Sequence, residues 1–311
     1  MNEINSENHQ SEDALTFKML VREKMKRYLF PFIILSVLTT DYILWKKGFS
    51  SPEWIEYTYG GVALFLIALE FLVPRNSQWN YINKKGILWR EIASEVSFYF
   101  LSGLFALATI YPFSEWAGDH IKAYLGLSNT LPIPLFFQAI IILTTVDLIR
   151  YWVHRSMHTN AFLWRFHSLH HLPERLGAMT SVRANPFDDF LIYVPELIVF
   201  STFGFDPSLV AVLYSVIWVI SLVKHANIEI EVNWISRHFQ IPQYHLHHHA
   251  NHNGQLPTYN FSEVFTFWDR IFKTFDGSKI ESNHQVGVFS EAKRSIIREY
   301  LGWIYLKINK I

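Results

Sequence analysis

The chain has 311 residues, of which 50% are hydrophobic and 17% are charged, and its 27 Lys and Arg residues equal its 27 Asp and Glu residues in number. This balance leaves no basic field for nucleic acid, excludes a nucleic-acid partner and favours a membrane protein. The absence of cysteine excludes disulfides, thiolate zinc sites and iron–sulfur clusters. Any metal must therefore be bound through nitrogen or oxygen.

Residues 1–27 are mostly polar, and we interpret them as a cytoplasmic tail that is mobile over Met1 to Ala14. They lead into no short apolar core followed by a small-residue cleavage site, so we predict no signal peptide. The membrane spans themselves must then direct insertion.

Four apolar segments follow within residues 28–153, each near the roughly 20 helical residues that cross a bilayer core of about 30 Å. They are Tyr28 to Trp45, Tyr57 to Val73, Val96 to Tyr111 and Ile133 to Val153. We therefore predict an all-α polytopic membrane protein, with about four transmembrane helices and a cytoplasmic histidine-rich helical cap.

The orientation follows from basic residues, because Lys and Arg in short loops are retained in the cytoplasm. Such residues precede the first span and lie between the second and third, whereas the loop before the fourth carries only Lys122. Lys46 and Lys47, between the first and second spans, weaken the contrast. We predict that both termini and everything after Val153 are cytoplasmic.

A further apolar stretch covers residues 190–223 and is interrupted by Gly204, Asp206 and Pro207. Each of its two pieces is short for a complete crossing, so we predict a re-entrant hairpin. We place it inside a catalytic region, residues 154–280, which is followed by a cytoplasmic C-terminal segment, residues 281–311.

Twelve of the fifteen histidines lie between His154 and His252. Their spacing is i, i+4 in HRSMH and i, i+3, i+4 in HSLHH and in the last box, and on a helix these spacings bring imidazoles to one face. Imidazole binds iron, zinc, copper or nickel, so the ligand type does not select the metal. Eight or nine histidines are enough for two metals with positions left open.

These boxes and their surroundings resemble the fatty acid hydroxylase superfamily, which includes sterol desaturases and alkylglycerol monooxygenases. The resemblance runs from about Asp147 to Phe275, through DLIRYWVHR, LWRFHSLHH, HANI, PQYHLHHH and FWDRIFKTF in order. It implies nine metal ligands: His154, His158, His167, His170, His171, His225, His245, His248 and His249. We expect His247, which falls between the matched positions, not to bind metal, and His252 stays open.

The resemblance also implies two iron ions, O2 as co-substrate, and the hydroxylation or desaturation of a long-chain lipid. An apolar cleft lined by Phe and Trp would hold its alkyl chain. Electrons must come from a cytochrome or ferredoxin with its reductase, because the chain has neither a dinucleotide fingerprint nor a haem attachment motif.

Carboxylate or amide groups that could orient the histidines include Asp147, Asn185, Glu229 and Asp269. Asp147 could equally form an ion pair with Arg150, and Glu229 could be an oxygen ligand if its segment is helical. Glu174, Asp188 and Asp189 are weaker candidates, because acidic residues in cytoplasmic loops are usually solvated.

Three positions depart from the family pattern. Asn185 stands where histidine is usual, Lys273 stands where glycine is usual, and Asn260-Phe261-Ser262 replaces the common Asn-Tyr-Gly. These changes leave the substrate open and remove none of the nine ligands.

Other functions compete with oxygenation. Acyl-CoA desaturases also use histidine clusters, but their first two boxes are farther apart than His158 and His167. A bis-histidine haem protein or a zinc transporter would use histidines without oxygen chemistry, and neither explains the repeated H-x-x-H-H boxes.

Overall fold

The computed structural model describes residues 2–83, 86–251, 258–281 and 284–288, and helices dominate this part of the chain. The predicted all-α class is confirmed, since the strands β1 (Ile82–Asn83) and β2 (Gly86–Ile87) form only a two-residue antiparallel pair. The helices are α1 (Asn2–Lys46), α2 (Ser51–Leu72), α3 (Trp89–Phe105), α4 (Tyr111–Leu125), α5 (Leu135–Thr159), α6 (Ala161–His167), α7 (Pro186–Phe203), α8 (Pro207–His225), α9 (Pro242–His249) and α10 (Phe267–Ile271).

Five helical stretches in the described residues are long and apolar enough to cross a membrane. They are Arg22–Lys46, Glu53–Leu72, Trp89–Leu125, Leu135–Thr159 and Pro207–His225. Large apolar side chains on their outer faces, such as Leu35, Leu64 and Phe136, are exposed and would face lipid. The chain is therefore an integral membrane protein, and the first four stretches cover the four predicted spans to within two residues at their ends.

Two of these helices are longer than the sequence indicated. α1 begins at Asn2, where a mobile tail was expected, and residues 2–27 contain no proline or glycine that would stop a helix. α3 continues through a π-helical turn, Ala106–Ile110, into α4. Pro112 follows shortly after this π-helical turn, and such a local distortion accompanies a proline that cannot donate the usual i→i−4 hydrogen bond.

The stretch 190–223 forms parts of α7 and α8, which meet at Gly204. Gly204 has a φ of 66°, and a Cβ there would lie 2.4 Å from the carbonyl oxygen of Asn129, so the turn requires glycine. α8 has 19 residues and a length of about 28 Å, which makes it a fifth candidate span instead of a short piece. The expected re-entrant placement in the membrane stays a prediction.

α8 extends farther than expected because its polar end is stabilised. Lys224 and His225 in its last turn are buried, and the Lys224 ammonium donates to Glu263 at 2.8 Å. Earlier in the helix, Val219 and Leu222 lie in a core shared with α1 and α2. The histidine at the end of α8 is therefore fixed against the rest of the bundle.

The segment that follows α8 is held by a carboxylate from α2. Glu70 is 4% exposed, and its Oε1 accepts hydrogen bonds from the backbone N–H groups of Ala178 and Asn227. One buried carboxylate thus joins α2 to the chain before α7 and to the chain after His225.

The replacement of Lys273 by glycine is expected to stabilise the protein by about 1 kcal/mol, because Lys273 has a φ of 60° and a Cβ is unfavourable in this region. Its side chain is exposed, so little contact is lost. The measurement is the thermal unfolding midpoint in detergent. Lys279→Gly is the matched control, because Lys279 is exposed and has no positive φ. An equal rise in both variants would contradict this explanation.

Candidate metal centre

The structure brings all nine proposed ligands together in two buried groups, and within each group the potential ligand atoms lie within 4.8 Å of one another. The first group is His154, His158, His167, His171 and His248, and the second group is His170, His225, His245 and His249. The groups adjoin, since the ring centroids of His171 and His249 are 4.3 Å apart. Two neighbouring metal sites can therefore be formed by imidazoles alone.

Each H-x-x-H-H box contributes to both groups. In the middle box, His167 and His171 belong to the first group and His170 to the second. In the last box the assignment is reversed, because His245 and His249 lie in the second group and His248 in the first. The i and i+4 side chains therefore stay together, while the i+3 side chain crosses to the other group.

The middle box is not helical throughout, which corrects the expectation that its three histidines lie on one face of a helix. α6 ends at His167, and the chain continues as a turn in which His170 N donates to His167 O. His170 and His171, which are neighbours in this turn, belong to different groups. The last box lies on α9, as its spacing indicated.

Hydrogen bonds at Nδ1 fix the orientation of several rings. His154 donates to the Phe261 carbonyl at 2.7 Å, His248 to the Tyr259 carbonyl at 2.9 Å, and His225 to the Ser221 carbonyl at 2.7 Å. Carbonyls only accept, so these neutral rings carry their proton on Nδ1 and a lone pair on Nε2.

His170 and His225 test whether a metal fits the second group. His170 Nδ1 donates to the Arg183 carbonyl at 3.3 Å, so its Nε2 also carries a lone pair. The two Nε2 atoms are 3.0 Å apart. Two lone pairs at this distance repel unless a cation lies between them, so the donor set fits a bound metal.

The first group passes a similar test. Four of its Nε2 atoms are buried without a hydrogen-bond partner, and they belong to His154, His167, His171 and His248. Buried polar atoms are rarely left unpaired, and a metal ion would satisfy all four.

Burial also keeps these imidazoles neutral. Desolvation lowers the pKa of His167 and His170 to about 3. It lowers the pKa values of His171, His245 and His249 well below their ordinary value as well. The lone pairs are therefore available at neutral pH, as metal binding requires.

Asp188 is the carboxylate that contacts a proposed ligand, although the sequence favoured a solvated side chain. Its Oδ2 accepts from His167 Nδ1 at 2.9 Å, and burial raises its pKa to about 7. The signal was the Asn185-Pro186 pair, which predicts a helix start and places Asp188 in the first turn.

Asp147 neither contacts a histidine nor pairs with Arg150, which instead donates twice to Glu196. Its two oxygens accept three backbone N–H bonds, from Glu263, Val264 and Phe265. Asp147 thereby holds the loop whose Phe261 carbonyl orients His154. Asp147 can hold this loop because it lies on α5, which passes beside the loop.

Asp269 holds the same loop from its other side. Its carboxylate accepts hydrogen bonds from the backbone N–H groups of Phe261 and Ser262, and from the Thr274 hydroxyl. Asp269 therefore positions His154 through the backbone and does not contact the ring.

Other candidates lie elsewhere. The Asn185 side chain caps α7 by accepting from Phe187 N. Glu229 lies in a non-helical segment and pairs with Lys26 at 2.7 Å, so the condition for an oxygen ligand is not met. His247 donates to the Ser278 carbonyl and belongs to neither group. His252 and most of 281–311 lie outside the described residues.

A cavity of about 80 Å³ opens onto both groups. Its wall includes five of the histidines together with Arg150, Lys224, Glu263, Asp188 and Asp189. Most of the lining residues are ionisable, although the exposed surface of the cavity is mainly apolar, and the predicted apolar cleft for the alkyl chain stays a prediction. These buried charges are tolerated because several of them are paired with one another, as the lowered pKa of Glu263 shows. Burial alone would raise its pKa, but the charges of Lys224 and Arg150 lower that pKa to about 2.

Comparison with known proteins adds a family to this geometry. The fatty acid hydroxylase family model matches residues 139–274, and this range contains all nine of the histidines proposed as metal ligands. Ornithine lipid hydroxylase OlsE of Rhizobium tropici is 22% identical over 276 residues, covering 87% of this chain and 81% of that protein. No solved structure is significantly similar to the chain.

Two further relatives match mainly the histidine region. Alkylglycerol monooxygenase of Caenorhabditis elegans is 26% identical over 145 residues, and very-long-chain aldehyde decarbonylase GL1-7 of Oryza sativa subsp. japonica is 31% identical over 144 residues. These matches cover 47% and 44% of this chain, and 26% and 22% of the relatives. The chain thus spans about a quarter of each of these two proteins.

Proposed function

Because residues 139–274 belong to the fatty acid hydroxylase superfamily, we propose that the chain hydroxylates or desaturates a long-chain membrane lipid at two iron ions held by the two histidine groups. The observation that carries this proposal is the meeting of His170 and His225, whose lone-pair nitrogens lie 3.0 Å apart in a buried site. Hydroxylation is the preferred outcome.

The number of converging nitrogens supports two metal ions with positions left open. The two groups hold five and four buried imidazoles, and in the second group the Nε2 atom of His245 lies 2.9 Å from that of His225 and 3.1 Å from that of His249. One tetrahedral zinc ion needs only four ligands, so nine imidazoles exceed the needs of a single zinc site. The choice of iron rests on the match to the fatty acid hydroxylase family.

When bound, iron would supply the activation of O2, with one oxygen atom entering a C–H bond of the lipid. The other oxygen leaves as water, which requires two electrons and two protons from outside the lipid. We propose a cytochrome or ferredoxin, with its reductase, as the electron donor. The chain's own residues hold the imidazoles neutral, orient them through Nδ1 and enclose the cavity.

The location of the groups supports a lipid substrate. His154 and His158 lie in the last turns of α5, and His225 ends α8, so the groups adjoin the ends of two membrane-length helices. A lipid could reach them laterally while its chain stays desolvated. The names of the relatives, an ornithine lipid hydroxylase and an alkylglycerol monooxygenase, also support lipid oxidation.

A non-enzymatic haem or zinc protein is the alternative. The cavity of about 80 Å³ is much smaller than the roughly 300 Å³ or more of ordinary cofactor pockets, which disfavours haem. Metal analysis with an optical spectrum separates the three: two irons without a Soret band, a haem band, or zinc.

We expect one labelled lipid when cells with and without the gene are compared by lipidomics under ¹⁸O2. The reason is that one oxygen atom of each O2 molecule enters the lipid during hydroxylation. A desaturated lipid without label would indicate that the chain catalyses desaturation instead of hydroxylation. If label appeared only in water-soluble metabolites, the lipid substrate would be wrong even with iron confirmed.

We propose that both termini and all the histidine boxes face the cytoplasm, because basic residues cluster before Tyr28 and after Val73. A reporter fused after Ile311 is expected to be active only when it is of the type that works in the cytoplasm. A second reporter in the loop near Ser128, between α4 and α5, is the matched control and should give the opposite result. The proposed orientation would be wrong if the C-terminal reporter were active only when it is of the type that works outside the cytoplasm.

A further inference from the structure

Two neighbouring carboxylates on the cavity wall have unused hydrogen-bonding capacity. Asp188 and Asp189 lie in the first turn of α7 and are 1% and 6% exposed. Oδ1 of Asp188 and Oδ2 of Asp189 are buried without a hydrogen-bond partner. Burying a carboxylate oxygen without a donor is costly, so such atoms indicate a missing partner.

The cations of the wall do not supply that partner. Arg150 donates to both oxygens of Glu196, at 2.9 and 2.7 Å. Lys224 donates to Glu263 at 2.8 Å. In the part of the chain that the structure describes, three carboxylates and two cations line the cavity, and both cations are already engaged. The Ser102 hydroxyl lies beside Asp189 and can serve one of its oxygens. One oxygen of each aspartate is still without a partner on the wall of the cavity, from which a donor can approach.

We propose that Asp188 and Asp189 bind the ammonium group of an amine-bearing lipid, so that the oxidised carbon lies near the polar head of the substrate. This inference rests on the proposed lipid oxidation and names the substrate class. An ammonium group offers three donors and a positive charge, which suits two adjacent carboxylates with free oxygens.

The size and the walls of the cavity agree with a small head. A volume of about 80 Å³ holds only a few heavy atoms, whereas a sterol ring system is larger. Ile192 and Trp218 line the same cavity, Ile192 one turn after Asp188 on α7 and Trp218 two turns before His225 on α8. They provide apolar contacts for the part of the lipid next to the head.

The competing role for these carboxylates is to compensate the charge of two metal ions held by neutral imidazoles. That role predicts a loss of metal when a carboxylate is removed, without any preference for amines. The binding of matched probes separates the two roles.

The experiment titrates the purified protein, with its metal, by calorimetry in non-ionic detergent with dodecylamine, dodecanol and dodecanoate. We expect dodecylamine to bind more tightly than the other two. Asp189→Asn is the variant of choice, because Asp189 contacts no proposed ligand. It should weaken dodecylamine binding by roughly 10- to 100-fold, the cost of a hydrogen bond to a charged group. Its binding of dodecanol should stay unchanged.

Asp119→Asn is the matched control, since Asp119 lies on α4 with a side chain that is 61% exposed and should leave all three affinities unchanged. Equal binding of amine and alcohol by the natural protein would overturn the inference even if Asp189→Asn failed to fold. A loss of metal in Asp189→Asn with unchanged amine preference would also overturn it, in favour of charge compensation. A labelled product from a neutral lipid would overturn this inference alone, whereas the absence of any labelled lipid would overturn the proposed function.

Discussion

The replacement of His170 by alanine is expected to abolish lipid oxidation and to lower bound metal from two ions to about one per chain. Among the residues that the structure describes, the second group has four histidines, and this variant leaves it three. Loss of an orienting partner alone typically lowers metal affinity 10- to 100-fold, so loss of a ligand should exceed that range. The first group keeps all five of its histidines and should keep its metal.

His247→Ala is the matched control for this experiment, because His247 lies on α9 between proposed ligands and belongs to neither group. Metal content by elemental analysis and product formation should both stay close to those of the natural protein. Membrane insertion should be unaffected in both variants. If His170→Ala kept full activity and two metals, the assignment of the second group would be wrong.

The replacement of Asp147 by alanine should destabilise the protein by at least about 3 kcal/mol. Three backbone N–H groups lose their acceptor in a fully buried position, and each unsatisfied group costs about 1–3 kcal/mol. The loop then no longer fixes the Phe261 carbonyl, which lies 2.7 Å from His154 Nδ1. We therefore also expect less metal in the first group.

Gln138→Ala provides the comparison, since Gln138 is a buried polar residue at the opposite end of α5, where it bonds the Leu131 and Ile133 carbonyls and Asp206 N. It should lower the unfolding midpoint in detergent without changing metal content. Equal metal loss in both variants would show that Asp147 acts only through general stability and not through the loop beside His154.

The membrane character and the proposed ligands could be predicted because both depend on local properties of the chain. Apolar runs of about 20 residues identify spans without knowledge of their neighbours, as Tyr28 to Trp45 and Ile133 to Val153 did. The family resemblance, carried by the boxes and the HAN segment, likewise implied the nine histidines that the two groups contain. Helix ends were less predictable, because the π turn after Phe105 and the ion pair of Lys224 depend on geometry and tertiary contacts.

The assignment of histidines to two groups was decided by the tertiary structure. Spacing placed His167, His170 and His171 on one helical face, but His170 joins the other group, and the i+3 histidine of the helical last box does the same. The partners of the carboxylates were also hidden, since Asp147 and the loop it holds are more than a hundred residues apart in sequence.

The sequence by itself therefore determined the class of protein, the family resemblance and the residues with metal-binding chemistry, because hydropathy and residue type are local quantities. Only the tertiary structure decided which imidazoles share a site, which carboxylates support them and which charges line the cavity. Those properties depend on side chains from distant segments and on the burial that fixes their lone pairs, and neither is set by spacing along the chain.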